Sequence, residues 1–216
     1  MEASRSSDTG TVVRGVSAQD VPALREICRV TGDSGGDASA LTAFPDLLGD
    51  VYAAPYAHHE AAFGSVVVDE GGPAGYVLGC LDTAAFERWR EEHWWPGLRR
   101  QLPAAEEFAG RFDEWLLRIV HTGVAPEPVW STHPSHLHID LLPRVQGRGI
   151  GRRLIERVCA QLAAAGSPGV HLGVSARNPG AVEFYRRNGF VELSRTAAAH
   201  TFGRELSSTG SPSDAP

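Results

Sequence analysis

The sequence predicts an α/β (α+β) fold in which a mixed, twisted β-sheet is flanked by helices. Two observations lead to this prediction: short apolar or β-branched runs alternate with segments of helical periodicity, and their order is mixed rather than a regular βαβ repeat. A chain of 216 residues that is 42% hydrophobic can also bury one sizeable core. We therefore expect a single domain over residues 11–206, between disordered tails at 1–10 and 207–216.

The first half of the chain predicts a strand, a helix, a hairpin and then a group of helices. "TVVRGV" is a β-branched run, and Ser17 and Asp20 have the spacing of a capping box at the start of a helix. Apolar runs on either side of "GGP" predict a β-hairpin over residues 62–82. A helical insertion is expected over residues 83–120, broken at Pro96 and Pro103. "LLGDVYAAPYAHHE" shows no clean period.

The second half alternates strands and helices before two closing strands. "SHLHIDLLP" and "GVHLGVSA" predict strands. A helix ending at Gly166 separates them, and "NPGAVEFYRRNGF" predicts a second helix that ends at Gly189. "VELSRT" and "HTFGREL" predict the closing strands. The predicted helical insertion therefore lies directly before the strand in "SHLHIDLLP".

Composition excludes several classes of function. A net charge of -6 and a pI near 5.8 provide no general basic field, so we expect neither nucleic acid nor a membrane as a partner. The odd number of cysteines, in apolar or helical surroundings, favours reduced, buried thiols. No apolar stretch near the start predicts a signal peptide, so we expect a cytoplasmic protein. A homodimer remains a hypothesis.

The stretch "LLPRVQGRGIGRRLIERV" contains three glycines, Gly147, Gly149 and Gly151, between a strand and a helix. A Walker A loop is excluded because Arg152 stands where that motif needs lysine, and the spacing does not fit a dinucleotide-binding fingerprint. Successive N–H groups at a helix N-terminus remain as a site for a phosphate or pyrophosphate. The alternative is a tight turn that needs glycine only for its dihedral angles; the adjacent arginines favour the anion site.

Two motifs in the right order resemble the GNAT superfamily of acetyl-CoA-dependent N-acetyltransferases. "QGRGIG", residues 146–151, matches the superfamily's Gln/Arg-x-x-Gly-x-Gly/Ala motif, and "NPGAVEFYRRNGF" is similar to its C-terminal Asn…Tyr…Gly-Phe segment. Longer segments, including "TGDSGGDA", "HWWPGLR" and "HLHIDLLPRVQGRGIG", resemble bacterial acetyltransferases similar to the acetyltransferase-like C-terminal domain of O-GlcNAcase. The resemblance implies a GNAT fold.

The resemblance also implies acetyl-CoA as co-substrate and a position for it. Its pantetheine arm would lie along the strand 136–142, where an N–H near Leu141 or Leu142 would polarise the acetyl carbonyl. Its pyrophosphate would bind the glycine loop. The residues that the motif implies there are Gln146, Gly147, Arg148, Gly149, Ile150, Gly151 and Arg152.

Two residues of the C-terminal motif have both a functional and a structural interpretation. Tyr185 matches the family tyrosine near the cofactor sulfur and would protonate the leaving thiolate; alternatively it packs on the helix, although Phe184 is the more apolar candidate for the core. Asn178 would contact the cofactor, cap the helix before Pro179, or do both.

Strand alternation places His136, His138 and Asp140 on one face of their strand. Asp140 is nearest to the acetyl position and is the candidate general base, with His138 as helper or competitor. The alternative is a buried Asp–His pair that only holds the strand. Residues that alternate along one strand do not converge on a tetrahedral metal, so we expect no metal site.

The acceptor pocket is predicted from residues outside the cofactor motifs: Asp33, Tyr56 and Trp94. Each has a structural alternative, respectively a turn, an aromatic cover over the core, and the buried stripe of an amphipathic helix. We expect an N-acetyltransferase that moves acetyl to a primary amine by direct attack in a ternary complex, the acceptor being a small-molecule amine or a protein or peptide lysine. The alternative is an acetyl-CoA-binding pseudo-acetyltransferase or a peptide-binding module without transfer activity.

Overall fold

A computed structural model of the protein describes residues 10–59 and 62–207. The predicted disordered tails therefore lie, except for Gly10 and Ser207, outside the described residues. The strands are β1 (Val12–Gly15), β2 (Ala62–Asp69), β3 (Gly72–Cys80), β4 (Ser135–Leu141), β5 (Gly169–Ser175), β6 (Val191–Arg195) and β7 (Ala199–Glu205). The helices are α1 (Val21–Val30), α2 (Leu47–Tyr52), α3 (Thr83–Trp89), α4 (Trp95–Arg99), α5 (Glu114–Thr122), α6 (Ile150–Ala164) and α7 (Pro179–Arg187).

The strands form one mixed sheet in the order β1-β2-β3-β4-β5-β7-β6. All neighbouring pairs are antiparallel except β4 and β5, which are parallel and are joined through α6. The predicted hairpin is present as β2 and β3, and the capping box of Ser17 and Asp20 precedes α1. The mixed α/β sheet flanked by helices is confirmed.

Alternation along the strands divides the apolar residues into two clusters, one on each face of the sheet. On β3, Tyr76, Leu78 and Cys80 join the cluster beneath α1, α2 and α5, while Val77 joins the cluster beneath α6 and α7. Cys28, Cys80 and Cys159 are buried free thiols, as expected. Within the described residues, no helix is long and apolar enough to cross a membrane.

The break predicted at Pro96 is wrong. A π-helical turn, Arg90–Trp94, links α3 to α4, and the N–H of Trp95 bonds to the carbonyl of Arg90. This change in hydrogen-bond register brings Pro96 into the first turn of α4, where a missing N–H costs little. The segment without a clean period contains a short helix, α2, followed by a 3-10 turn.

Candidate functional site

Strands β4 and β5 pair at their beginnings and then separate. Their register contains two residue pairs, Ser135 with Val170 and His136 with His171. The N–H of Leu142 bonds to the carbonyl of Ala74 at 2.8 Å, which fixes the alternation of the β3–β4 ladder. By that alternation the backbone groups of Leu141 face away from β3. They face the opening between β4 and β5.

The same alternation on β5 identifies the other wall of the opening. The N–H of Ala176 bonds to the carbonyl of Ala198 at 2.9 Å, so Gly173 turns its backbone groups away from β7. Gly173 is exposed, and a Cβ there would meet no atom within 4 Å. The opening is therefore lined by backbone polar groups without a strand partner, the arrangement that an extended amide chain can pair with.

The two predicted candidates for polarising a carbonyl are not equivalent. The N–H of Leu142 is already used by Ala74, so the interpretation of Leu142 as an oxyanion donor is wrong. The N–H of Leu141 points into the opening and stays a candidate. The carbonyl of Leu141 accepts a hydrogen bond of 2.7 Å from the Gln146 side-chain amide, so Gln146 ties the end of β4 to the glycine loop.

The glycine loop exposes an uninterrupted row of N–H groups before α6. Gly147 and Gly149 have φ of +73° and +72°, which disfavours any other residue, and a Cβ at either would meet nothing within 4 Å. Within the described part of the chain, no backbone carbonyl or side chain accepts from the N–H groups of residues 147–152. At the positive end of a 15-residue helix, such a row forms an anion site.

The remaining members of the loop have distinct roles. Gly151 is buried, and a Cβ there would lie 3.1 Å from the ring of Phe184, so this glycine also permits α6 to pack closely on α7. Ile150 is buried and anchors the loop. Arg148 and Arg152 are exposed on either side of it.

On the predicted polar face of β4, both ring nitrogens of His136 have hydrogen-bond partners. Thr83 Oγ1 donates to the Pro134 carbonyl at 2.6 Å, so its oxygen accepts from His136 Nδ1 at 2.8 Å. His136 Nε2 then accepts from the Tyr56 hydroxyl. Burial holds the pKa of His136 well below its usual value, and the ring is neutral. His136 therefore holds the strand in place.

His138 and Asp140 follow on the same face and are half-buried. Burial, aided by the charge of Arg90, lowers the pKa of His138 to about 3. Burial raises the pKa of Asp140 to about 6, against the opposing hydrogen bonds of Tyr76 and Thr31. Asp140 and His138 make no hydrogen bond to each other in the described contacts, so the interpretation of an Asp–His pair is not supported. Asp140 is the stronger base.

Tyr185 lies deeper than expected. Tyr185 is 7% exposed and packs against Phe190 and Phe202 with ring centroids 5.6 and 6.2 Å apart, whereas Phe184 is half-buried. The expectation that Phe184 supplies the core is therefore wrong, because the phase of α7 places Val182 and Tyr185 inward. Burial and the charge of Asp140 raise the pKa of Tyr185, so its hydroxyl stays protonated.

Asn178 caps α7 by accepting from the N–H of Ala181 at 3.0 Å. Its side-chain nitrogen lies beside Gly35, where a Cβ would be 3.3 Å away. The capping role is therefore present, and the loop after α1 covers the group that would contact a cofactor.

The three acceptor-pocket candidates do not converge. Tyr56 is 3% exposed and its hydroxyl bonds to His136, so its assignment to an acceptor pocket is wrong. Trp94 donates from Nε1 to the Asp50 carbonyl at 2.8 Å, and its ring lies tilted against that of His58 with centroids 5.5 Å apart, which makes it a cover over the core. Asp33 forms an ion pair of 2.8 Å with Arg177 at the end of β5.

Sequence reasoning missed Tyr76. Its position follows from the register of β3 on β4, where Tyr76 is paired with Asp140 and its hydroxyl donates to Asp140 Oδ2. Alternation in "GYVLGC" predicts which face Tyr76 occupies but not which residue of another strand it meets.

The chain resembles known proteins along most of its length. A model of the acetyltransferase (GNAT) domain matches residues 117–192. Protein O-GlcNAcase of Rattus norvegicus is 24% identical over 192 residues, 85% of this chain and 20% of that protein, so the chain spans about a fifth of this curated relative.

Solved structures agree with this match. The structure described as SsHAT is 33% identical, with a TM-score of 0.83 over 92% of this chain and 99% of that one. A putative acetyltransferase from Salmonella typhimurium, yncA, solved with its cofactor acetyl-CoA, shares the fold with a TM-score of 0.54 at 14% identity over 96% of this chain and 100% of that one. The chain belongs to the GNAT family of acetyltransferases.

Proposed function

We propose that this protein transfers an acetyl group from acetyl-CoA to a primary amine by direct attack in a ternary complex. The observation that carries the proposal is the opening between β4 and β5, which has the N–H row of residues 147–152 at its end and Asp140 beside it. A donor site and a base thus lie on one strand and the loop that follows it.

The residues present fit acetyl-CoA. The N–H row and the positive end of α6 would bind its pyrophosphate, with Arg148 and Arg152 exposed nearby for further phosphate charge. Gly147 and Gly149 leave room for the anion to touch the backbone. The walls of the opening would pair with the amides of its pantetheine arm. When bound, acetyl-CoA supplies an acetyl group activated as a thioester.

An ammonium acceptor loses two protons in becoming an amide, one before attack and one after it, and the departing thiolate gains one. Asp140 accepts the proton that the attacking amine loses, and the N–H of Leu141 stabilises the negative charge that develops on the acetyl oxygen. Tyr185, which its raised pKa keeps protonated at neutral pH, donates its hydroxyl proton to the departing thiolate and recovers one from the acylated nitrogen. No covalent enzyme intermediate is required.

We expect Tyr185→Phe to lower the transfer rate by about ten- to a thousandfold while changing the affinity for acetyl-CoA little. The ring that packs against Phe190 is retained, so the fold should persist. Steady-state rates and calorimetric affinities measure the two effects. Unchanged turnover with a good acceptor would return Tyr185 to a packing role.

An amine panel tests the function itself. The printed sequence has 20 arginines within a Lys+Arg total of 20, so it has no lysine that could accept acetyl in place of an added peptide. With small amines and lysine peptides as acceptors, we expect release of the CoA thiol to match acetylated amine measured by mass spectrometry. Tight acetyl-CoA binding without transfer to any acceptor would favour the pseudo-acetyltransferase.

A further inference from the structure

Tyr76 is held directly opposite Asp140 in the sheet. The two residues form a register pair of β3 and β4, and they belong to the hydrogen-bonded set of that ladder. The Tyr76 side chain is fully buried, and its hydroxyl donates to Asp140 Oδ2. Tyr76 thereby fixes one carboxylate oxygen of Asp140 from the face of the sheet that α1, α2 and α5 cover.

A second buried group lies behind Tyr76. The Cys28 thiol on α1 belongs to the same buried cluster as Tyr76, and burial raises the pKa of both groups. Both therefore stay protonated at neutral pH. Tyr76 therefore keeps the proton that it donates to Asp140, in a part of the core that Cys28 helps to fill.

Thr31 is a weaker partner of Asp140. Its hydroxyl lies within reach of the carboxylate, but it also bonds to the Ile27 carbonyl at 2.7 Å and has one proton to give. The other titratable groups facing Asp140 are His138 along β4 and Tyr185 on α7, both uncharged at neutral pH. Tyr76 is thus the side chain whose hydroxyl donates directly to the carboxylate.

We propose that Tyr76 is a positioning residue that fixes one oxygen of Asp140 and leaves the second oxygen for the acceptor amine. This inference rests on the proposed role of Asp140 as general base. A carboxylate held in this way cannot rotate freely, and the position of its free oxygen relative to the opening between β4 and β5 is set by the sheet rather than by a flexible loop.

Tyr76→Phe tests the inference, with Tyr56→Phe as the matched control. Each variant removes one buried hydroxyl on the same side of the sheet, but that of Tyr56 bonds to His136. Carbon-13 NMR would follow the titration of the Asp140 carboxyl, assigned by its loss in Asp140→Asn, and the pH dependence of kcat/KM would be recorded in parallel. Loss of a bond to the ionised form should raise the midpoint by about one pH unit in Tyr76→Phe, and not in Tyr56→Phe.

The two readouts separate this inference from the proposed function. If both the carboxyl midpoint and the acidic limb of kcat/KM move together, the positioning role and the base assignment are both supported. If the carboxyl midpoint moves and the limb does not, Tyr76 controls Asp140 but Asp140 is not the base. An unmoved carboxyl midpoint would overturn the inference. Should Tyr76→Phe fail to fold, 3-fluorotyrosine incorporated at position 76, a stronger hydrogen-bond donor of nearly the same size, should lower the midpoint; an unchanged midpoint there would overturn the inference.

Discussion

Asp140→Asn is expected to lower acceptor-dependent turnover by about a hundredfold or more while leaving acetyl-CoA binding intact. An ammonium cannot attack a thioester because its lone pair carries a proton, so the enzyme must accept that proton at neutral pH. Asn has nearly the shape of Asp and can still accept from Tyr76, but it cannot take a second proton. Turnover with a good acceptor and calorimetry with acetyl-CoA measure the two quantities.

The wild-type pH profile should carry the signature of the same carboxyl. Asp140 must be ionised to act as a base, and burial raises its pKa to about 6. Activity should therefore fall about tenfold per unit as the pH drops below about 6, and this limb should be absent from any residual activity of Asp140→Asn. A limb displaced far below pH 6 would argue against Asp140.

The pH dependence of folding stability provides an independent check, because ionisation of Asp140 should raise activity but lower stability. The folded-state pKa of Asp140 is above the ordinary value of 3.8, so the folded protein holds this proton more tightly than the unfolded chain does. Ionised Asp140 consequently destabilises the fold at a pH above about 6, and this cost vanishes below about 4. At pH 7 Asp140→Asn should unfold at an equal or higher denaturant concentration than the wild type. If Asp140 served only to hold β4 in place, the same substitution should lower that concentration.

The Asp140→Asn experiment needs a control variant in which another carboxylate is replaced. Asp46→Asn makes the same chemical change at an exposed carboxylate just before α2, 3.7 Å from Arg25, and should retain most activity. If Asp140→Asn is as active as the wild type, the base lies elsewhere. His138 is the poorer substitute because its pKa of about 3 makes it a base about a thousand times weaker than Asp140.

Local patterns in the sequence predicted the features that depend on neighbouring residues. Alternation placed His136, His138 and Asp140 on one face of β4, and three glycines between a strand and a helix predicted the row of N–H groups before α6. Both signals arise from geometry over a few residues, and the structure shows both. The acetyltransferase family was likewise evident from two short motifs.

The features that depend on distant residues could not be predicted in this way. Tyr76 and Asp140 are 64 residues apart, and their contact follows from the register of two strands separated by the helical insertion. Tyr185 lies inward because of the phase of α7, although Phe184 is more apolar. Pro96 is tolerated because of the π-helical turn before it, for which the sequence offers no periodic signal.

The second large effect is expected at the glycine loop, where Gly149→Asp should abolish detectable acetyl-CoA binding. Gly149 is the N-cap residue of α6, with φ of +72°, and has open space where a Cβ would project. A carboxylate there would occupy the anion position and place a negative charge against the pyrophosphate, while the N–H row of residues 147–152 is otherwise retained. Calorimetry with acetyl-CoA measures the loss.

Gly166→Asp is the matched control, because it reproduces the strain of the substitution without reaching the loop. Gly166 follows the other end of α6, has φ of +92°, and also has no atom within 4 Å of a Cβ. Both variants should lose about 1–2 kcal/mol of stability from a left-handed non-glycine residue. If only Gly149→Asp loses acetyl-CoA binding, charge and shape at the anion site are responsible; equal losses in both would attribute the effect to a distorted helix, and unchanged binding in Gly149→Asp would refute the loop as the pyrophosphate site.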